Sequence, residues 1–175
     1  NRSTLAYDAK GQLVRETMVD SKGVVQSISE WSWTDGRRTE WKVLDAKNLV
    51  QAKTLYRYQD GLLSELLMSD GTGNSTGRGE YSYNNEGVLV AIQYFSASGT
   101  PQDRIEYIIK DGRPVQEKSF RTGGRLERSR IYEYGPEGQV LKMTLTDASG
   151  RPRESTSYEY AFRTETRTVS YYGHL

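Results

Sequence analysis

Glycines that recur about every 25 residues constrain this chain more than any other feature of its sequence. Gly11, Gly36, Gly61, Gly87, Gly112 and Gly138 are separated by steps of 25, 25, 26, 25 and 26 residues. A second slot follows twelve residues after each of them, and its occupants are Gly23, Asn48, Gly73, Gly99, Gly124 and Gly150. A fixed period of this length indicates a repeat protein in which each repeat is one supersecondary unit.

Each repeat also carries two large side chains at a spacing of two, and the second lies 22 residues after the first glycine. The pairs are Trp31 and Trp33, Tyr56 and Tyr58, Tyr81 and Tyr83, Tyr107 and Ile109, Tyr132 and Tyr134, and Tyr158 and Tyr160. In a strand this spacing places both rings on one face. A helix over 46–58 is the local alternative, because Leu49, Lys53 and Tyr56 share a helical face. The repeat register disfavours it.

The first turn of each repeat lies between the second aromatic residue and the next glycine. The shorter versions, "WTDG", "YQDG" and "IKDG", predict type I′ hairpins, and the longer ones, such as "YNNEG", predict a type I turn with a glycine bulge. Both versions pair the second aromatic residue with the residue two after glycine, as in Tyr58 with Leu63.

The second turn contains the slot that Asn48 shares with glycine. An aspartate three residues earlier, as at Asp45, is placed to accept a backbone N–H two residues on. The slot then requires positive φ, which glycine adopts freely and asparagine tolerates. This turn predicts that Ser69 pairs with Ser75.

These turns predict an all-β fold, an antiparallel meander of about 14 strands built from hairpin repeats of about 25 residues. With these pairings, the same position in successive repeats is displaced by two residues along the strand for every two strands. A sheet with this stagger twists strongly, so we expect it to curl into a barrel-like or spiral wall with one face enclosed. Residues 1–175 are expected to form a single β-repeat domain of about six and a half repeats, compatible with a piece of a longer protein.

Strand alternation predicts which side chains share a face. The aromatic pairs are expected together with Leu63 and with the second-turn pair Leu44 and Val50. Trp41, Leu66, Met68, Ile92, Tyr94 and Met143 are expected on the other face. The ring of Phe95 is expected to cover Gly77.

Composition and charge exclude several classes of function. The chain has 24 Lys and Arg against 23 Asp and Glu, so its net charge of +1 provides no field for nucleic acid. A basic run over 113–130 is the local exception. A solvated strand face is the favoured interpretation, because these residues divide between two faces, and a nucleic-acid-binding sheet through residues 113–134 is a further hypothesis. With no cysteine, disulfides and thiolate metal sites are excluded. No transmembrane segment is expected, whereas a lipid anchor upstream of the chain is compatible with the sequence.

Residues for catalysis are scarce. The only histidine, His174, lies next to the C-terminus, and no pair of carboxylates stands out as a general acid and base. Asp70, Thr72 and Asn74 alternate as oxygen donors but lack the closing glutamate of a calcium loop. We therefore expect no enzymatic activity, no metal site and no cofactor.

The segments "YSYNNEGVL", "YEYGPEGQV" and "LAYDAKGQL" resemble the tyrosine–aspartate (YD) repeats of the Rhs family. The resemblance covers nearly the whole chain, although the period is longer than in typical members and the aspartate after the second Tyr appears only at Asp8. MORN-like repeats share the Tyr and Gly hairpins and remain an alternative. The Rhs resemblance implies an exported or surface-associated bacterial β-sheet, located in the periplasm, outer membrane or cell surface, without catalytic residues in its repeats.

The aromatic residues are the candidates for function, since Tyr and Trp faces stack on sugars and anchor protein partners. The candidate ligand-binding residues are Trp31, Trp33, Tyr56, Tyr58, Tyr81, Tyr83, Tyr107, Tyr132 and Tyr134. The leading hypothesis is a non-catalytic binding module that recognises a protein or a glycan. The alternative hypothesis is a structural shell segment of a larger Rhs-like protein.

Overall fold

The computed structural model describes residues 2–161 as one antiparallel sheet with its strands in sequence order. The strands are β1 (Arg2–Tyr7), β2 (Leu13–Val19), β3 (Val25–Thr34), β4 (Arg37–Leu44), β5 (Val50–Gln59), β6 (Leu62–Asp70), β7 (Ser75–Tyr83), β8 (Leu89–Ser96), β9 (Pro101–Lys110), β10 (Arg113–Arg121), β11 (Arg125–Tyr134), β12 (Val140–Asp147) and β13 (Pro152–Ser157). The predicted all-β meander is confirmed, with thirteen strands in the described residues.

The first turns have the predicted geometry. Asp60 has φ of 50° and Gly61 has φ of 85°, so both central residues of this two-residue loop are left-handed, as a type I′ turn requires. Asp35 and Asp111 repeat this conformation with φ of 51° and 52°. In the longer version Gly87 has φ of 76° and donates its N–H to the Asn84 carbonyl at 3.0 Å.

The second turns confirm that Asn48 occupies a left-handed slot. Its φ is 61°, and Gly73 in the following repeat has φ of 92°. The Asp45 carboxylate accepts hydrogen bonds from the Lys47 and Leu49 N–H groups at 2.8 and 2.9 Å. The chain then enters β5, so the helical alternative over 46–58 is wrong.

The predicted register is also observed. Tyr58 lies opposite Leu63, and Ser69 lies opposite Ser75. Further along the same strands, Tyr56 pairs with Leu66, which pairs with Gly79. This path advances 23 residues while the repeat advances 25, so equivalent residues are displaced by two for every two strands.

The prediction of which residues share a face is confirmed for Leu63, which lies opposite Tyr58. It is wrong for residues farther along each strand, because every strand pair contains a one-residue register shift. A shift of this kind, as at a β-bulge, moves all later side chains to the other face. The shift between Arg57 and Tyr58 places Leu66 directly opposite Tyr56, on the same face as the rings.

The same correction applies along the sheet. Trp41, Ile92 and Met143 lie opposite Trp31, Tyr81 and Tyr132 respectively, so they share the face of these rings. We call this surface the ring face. Leu44 instead pairs with Ile28, which is three residues before Trp31 in the same strand and therefore points to the opposite face.

The sheet is twisted but not closed. Its order runs from β1 to β13 without a pairing between these two strands, so within residues 2–161 each has one edge without a neighbouring strand. Within residues 2–161, each strand contacts only its neighbours in the sheet. No large side chain in this part of the chain is fully buried, and even Ile28 keeps 4% of its surface exposed. Contacts between distant strands therefore enclose neither face of the sheet in residues 2–161, although enclosure of one face was expected.

The expected contact between Phe95 and Gly77 is wrong by one residue. Phe95 lies opposite Arg78, whose guanidinium is 4.0 Å from the centre of the Phe95 ring. A Cβ at Gly79 would lie 3.3 Å from the ring of Tyr94, so this ring covers a neighbouring strand glycine instead.

Replacement of Asn48 tests the conformation of the second-turn slot. Asn48→Val should lower the free energy of unfolding by about 1–2 kcal/mol, because a β-branched residue is strained at positive φ. Asn48→Gly should change it by less than about 0.5 kcal/mol. Urea unfolding measures both, with Lys47→Val as the control in the same turn. Equal losses for the valine variants at 47 and 48 would contradict the proposed role of φ.

Candidate binding face

All nine predicted site residues lie on the ring face. The register places the first residue of each pair on the same face as the second, while the residue between them points away. All nine rings are half-buried, whereas the intervening residues, such as Arg57 and Ser82, are exposed. The structure therefore brings the predicted residues into one surface, but as a long series rather than a single pocket.

The second ring of a pair forms a hydrogen bond that sequence reasoning missed. The Tyr58 hydroxyl donates to the Arg38 carbonyl at 2.9 Å, and the Tyr83 hydroxyl donates to the Leu63 carbonyl at 2.8 Å. Three further repeats have the same bond, namely Trp33 Nε1 to Leu13, Tyr134 to Pro114 and Tyr160 to Val140, at 2.8, 2.7 and 2.9 Å. In each case the acceptor lies 20 residues earlier, at the position two after the first glycine. The constant spacing between the second ring and the position two after the first glycine is the sequence signal that could have predicted these bonds.

These bonds have a structural consequence for the accepting strand. Pairing of β6 with β7 extends only to Glu65 and Glu80, so the Leu63 carbonyl lies beyond the last paired residues. The ring hydroxyl reaches this carbonyl and satisfies a group that the ladder leaves out. The bond therefore ties the end of β7 to the start of β6.

Trp31, Trp33 and Tyr56 surround one cation. The Arg38 guanidinium lies 5.1 Å from the centre of the Trp33 ring and 5.7 Å from those of Trp31 and Tyr56. All three distances are within the range of cation–π attraction. Arg38 Nε is buried without a hydrogen-bond partner, as is Nε1 of the nearby Trp41. This cluster is the densest group of predicted site residues.

Tyrosines dominate the middle of the ring face. Burial raises the pKa of Tyr81 to about 12, and the neighbouring Tyr94 and Tyr83 add to this shift. Burial likewise raises the pKa of Tyr83, with Tyr58 contributing. These hydroxyls are therefore protonated at neutral pH and act as hydrogen-bond donors rather than as bases.

An ion pair with a buried carboxylate lies beside Tyr107 on the ring face. Glu117 lies opposite Tyr107 and is only 9% exposed. Arg130 lies opposite Glu117 on the next strand and donates Nη1 to Glu117 Oε1 at 2.5 Å. Burial and then the Glu117 charge raise the pKa values of Tyr107 and Tyr132. Sequence reasoning did not find this pair, because its members come from different repeat positions.

A hollow lies beside β9, β10 and β11, near the turn that joins β10 to β11. Its volume is about 840 Å³, and Tyr94, Asp103, Arg121 and Glu127 are among its lining residues. Arg121 forms ion pairs with Glu127 at 2.5 Å and Asp103 at 3.5 Å, and Asp103 also accepts the Thr122 N–H at 3.2 Å. Three of the charged groups that line this hollow are thus engaged with one another.

The basic run over 113–130 does not form a continuous cationic strip. Arg121 and Arg130 are in the ion pairs described above, and the Arg113 guanidinium lies 5.9 Å from the centre of the Tyr134 ring. Lys118 lies opposite Glu106 on the other face of the sheet. The cations of the run therefore lie on both faces of the sheet, and ion pairs engage two of them, Arg121 and Arg130.

The residues considered for metal binding form a turn. Asp70 Oδ1 accepts hydrogen bonds from the Thr72 N–H and hydroxyl and from the Asn74 N–H at 2.9, 2.7 and 2.9 Å. The Thr72 hydroxyl is the main cause of the lowered pKa of Asp70. Within residues 2–161, no group of three or more acidic or histidine side chains is arranged to hold a metal ion. His174 lies outside the described residues.

Comparisons with known proteins show the fold rather than a family. No protein-family model matches the chain, and no curated protein matches it. The structure is similar to that of a porin-like protein from Bacteroides uniformis, with a TM-score of 0.57 and 13% sequence identity over 92% of this chain and 76% of that chain. At this identity the similarity shows a common β-rich architecture.

A weaker similarity links the chain to TcdB2-TccC3. One crystal structure of this protein gives 18% identity and a TM-score of 0.30, and it covers 90% of this chain but only 10% of that chain. The chain thus spans about a tenth of TcdB2-TccC3.

None of residues 2–161 belongs to a helix with the length and apolarity needed to cross a bilayer.

Removal of one ring hydroxyl tests its structural role. Tyr83→Phe should lower the free energy of unfolding by about 1 kcal/mol, because the Leu63 carbonyl loses its donor while the ring stays in place. Urea unfolding of the full chain measures the change. Tyr7→Phe is the matched control, since Tyr7 lies in the edge strand, is 57% exposed, and forms no side-chain hydrogen bond within residues 2–161. An equal loss in both variants would contradict the assignment.

Proposed function

We propose that this β-rich module is a non-catalytic wall segment of a larger Rhs-like protein of the bacterial envelope or cell surface. Its role is to extend a sheet and to present that sheet to other parts of the same assembly. The hydrogen bonds from the second rings to the backbone carry this proposal.

The polar groups at the tips of the second rings, which are the Tyr hydroxyl and Trp Nε1, distinguish a structural wall from a series of rings that binds a ligand. In a ladder that recognises glycans or proteins, free hydroxyl or indole groups beside the ring faces are available to fix the orientation of the ligand. In five of the six pairs the tip of the second ring already donates to the protein's own backbone. The rings therefore act first as connections between hairpins.

The outer edge of β1, which has no neighbouring strand within residues 2–161, supports a wall that continues beyond the described strands. The register advances by the same two residues in each repeat, so a further hairpin can be added without a change of geometry. Tyr7 is at the edge in β1 and occupies the position of Trp33, whose indole reaches back to the preceding hairpin. A preceding hairpin would provide the corresponding acceptor for Tyr7.

The Rhs-like assignment and the location outside the cytoplasm rest on two further observations. The repeated "Y-x-Y" hairpins resemble YD repeats, and the observed turns give each of these segments the geometry of a β-hairpin. The Bacteroides protein of similar fold is described as porin-like, and by analogy we place this chain in the envelope or at the surface.

Addition of one repeat tests the wall. A tandem duplication of residues 2–27 placed ahead of residue 2 preserves the period of 26 that relates Tyr7 to Trp33. It should raise the free energy of unfolding and slow amide hydrogen exchange in β1, because an edge strand becomes an inner strand. The same 26 residues in scrambled order are the control. An unchanged exchange rate in β1 would contradict the proposal.

Binding of a protein or glycan is the second candidate function, and the cluster of Trp31, Trp33, Tyr56 and Arg38 favours it. Its cation and Trp faces form a compact surface on one side of the sheet. Such a surface suits a sugar ring or an aromatic side chain of a partner.

A glycan array separates the two candidates. The wall proposal predicts that no glycan is retained by the wild-type chain. The binding proposal predicts a retained glycan class whose signal is lost in Trp31→Ala and kept in Tyr132→Ala, the equivalent position in another repeat. The second result would replace the first proposal, provided that both variants keep the unfolding midpoint of the wild type.

A further inference from the structure

One repeat lacks the ring that closes the others. Position 109 corresponds to Trp33, Tyr58, Tyr83, Tyr134 and Tyr160, and it is occupied by isoleucine. Isoleucine has neither a ring nor a donor, so the bond present in the other five repeats is not possible here. The first ring of this pair, Tyr107, is retained.

A hollow is found where the ring is missing. It has a volume of about 280 Å³ and is lined by Val88, Leu89, Tyr107, Ile109 and Pro114. Four of these five side chains are aliphatic. An apolar cavity of about 150 Å³ is large enough to hold benzene, so this hollow has room for one aromatic ring. We call it the Ile109 hollow.

The Ile109 hollow also contains a backbone acceptor without its usual side-chain donor. Leu89 stands two residues after Gly87, the position whose carbonyl accepts the ring tip in the other repeats at 2.7–2.9 Å. Leu89 pairs with Tyr83 on one side, but pairing with β9 begins only at Ala91 and Glu106. The Leu89 carbonyl therefore lies beyond the paired residues of β8 and β9, as its counterparts do.

We propose that the Ile109 hollow binds the phenol ring of a tyrosine from a partner protein, with the phenol hydroxyl donating to the Leu89 carbonyl. The chain itself defines this occupant, since Tyr58, Tyr83, Tyr134 and Tyr160 fill the equivalent space and reach the equivalent oxygen. The partner's tyrosine would complete the series of rings from outside.

The chemistry of the walls favours a phenol over other ligands. A phenylalanine ring would fill the space but leave the carbonyl without a donor. A sugar would place several hydroxyl groups against aliphatic side chains, which is costly without matching hydrogen-bond partners. A phenol places its apolar body on Leu89 and Pro114 and its single hydroxyl on the carbonyl. The site goes beyond the wall role, because it would anchor a second protein on the sheet.

Titration with p-cresol, which is the tyrosine side chain without its backbone, tests the proposal on the full wild-type chain. Amide resonances of Leu89 and Ile109 should shift saturably, with the millimolar dissociation constant expected of so small a ligand. Toluene has the same ring without the hydroxyl and should bind at least about threefold more weakly. Absence of a saturable shift, or equal affinity for both compounds, would overturn the proposal.

Two variants locate the binding. Ile109→Tyr supplies the missing ring from within the chain and should abolish the p-cresol shifts. Ile108→Tyr adds the same ring at an adjacent position that is 43% exposed and on the opposite face, and it should leave them unchanged. Shifts that persist in the first variant would place the ligand elsewhere and overturn the proposal. The wild-type titration decides the question independently if a variant folds poorly.

Discussion

The one-residue register shift in every strand pair is the constraint on which the rest of the structure depends. Without it, simple alternation would place Leu66 and Trp41 on the face opposite the rings. With it, Leu66 lies beside Tyr56 and Trp41 lies beside Trp31, so large side chains from successive strands contact one another. The displacement between neighbouring strands ends the pairing of β6 with β7 before Leu63, so the next tyrosine can reach its carbonyl.

A sheet in which each described strand contacts only its neighbours obtains its stability locally. No second layer closes over the described strands, and the most buried aliphatic residues still keep some exposed surface. Cross-strand pairs, turn hydrogen bonds and ring-to-carbonyl bonds must therefore hold each hairpin to the next. Stability of this kind is approximately a sum over neighbouring repeats. This accounts for the strict conservation of geometry from one repeat to the next within the chain.

Departures from the repeat concentrate between β7 and β11. Gly77 and Gly79 leave bare backbone near Tyr94, Ile109 omits a ring, and the Glu117 and Arg130 pair introduces charge into the ring face. In a repeat wall, residues that serve only the architecture recur with the period. Residues that break the period are the ones free to serve recognition, and the Ile109 hollow lies among them.

The sequence by itself determined the turns, the strand order and the first residue pairs beside each turn. Asp60 and Gly61 allow one tight reversal, and Asn48 meets a local requirement for positive φ; both effects act within a few residues and can be read from residue types. The position of the aromatic residues on a common face followed from their spacing of two. Only the tertiary structure decided which other residues share that face, because a bulge changes alternation without changing the spacing of the glycines. It also decided that ring tips are bonded to the backbone and that Glu117 and Arg130 meet, since these contacts depend on the displacement between strands rather than on any local pattern.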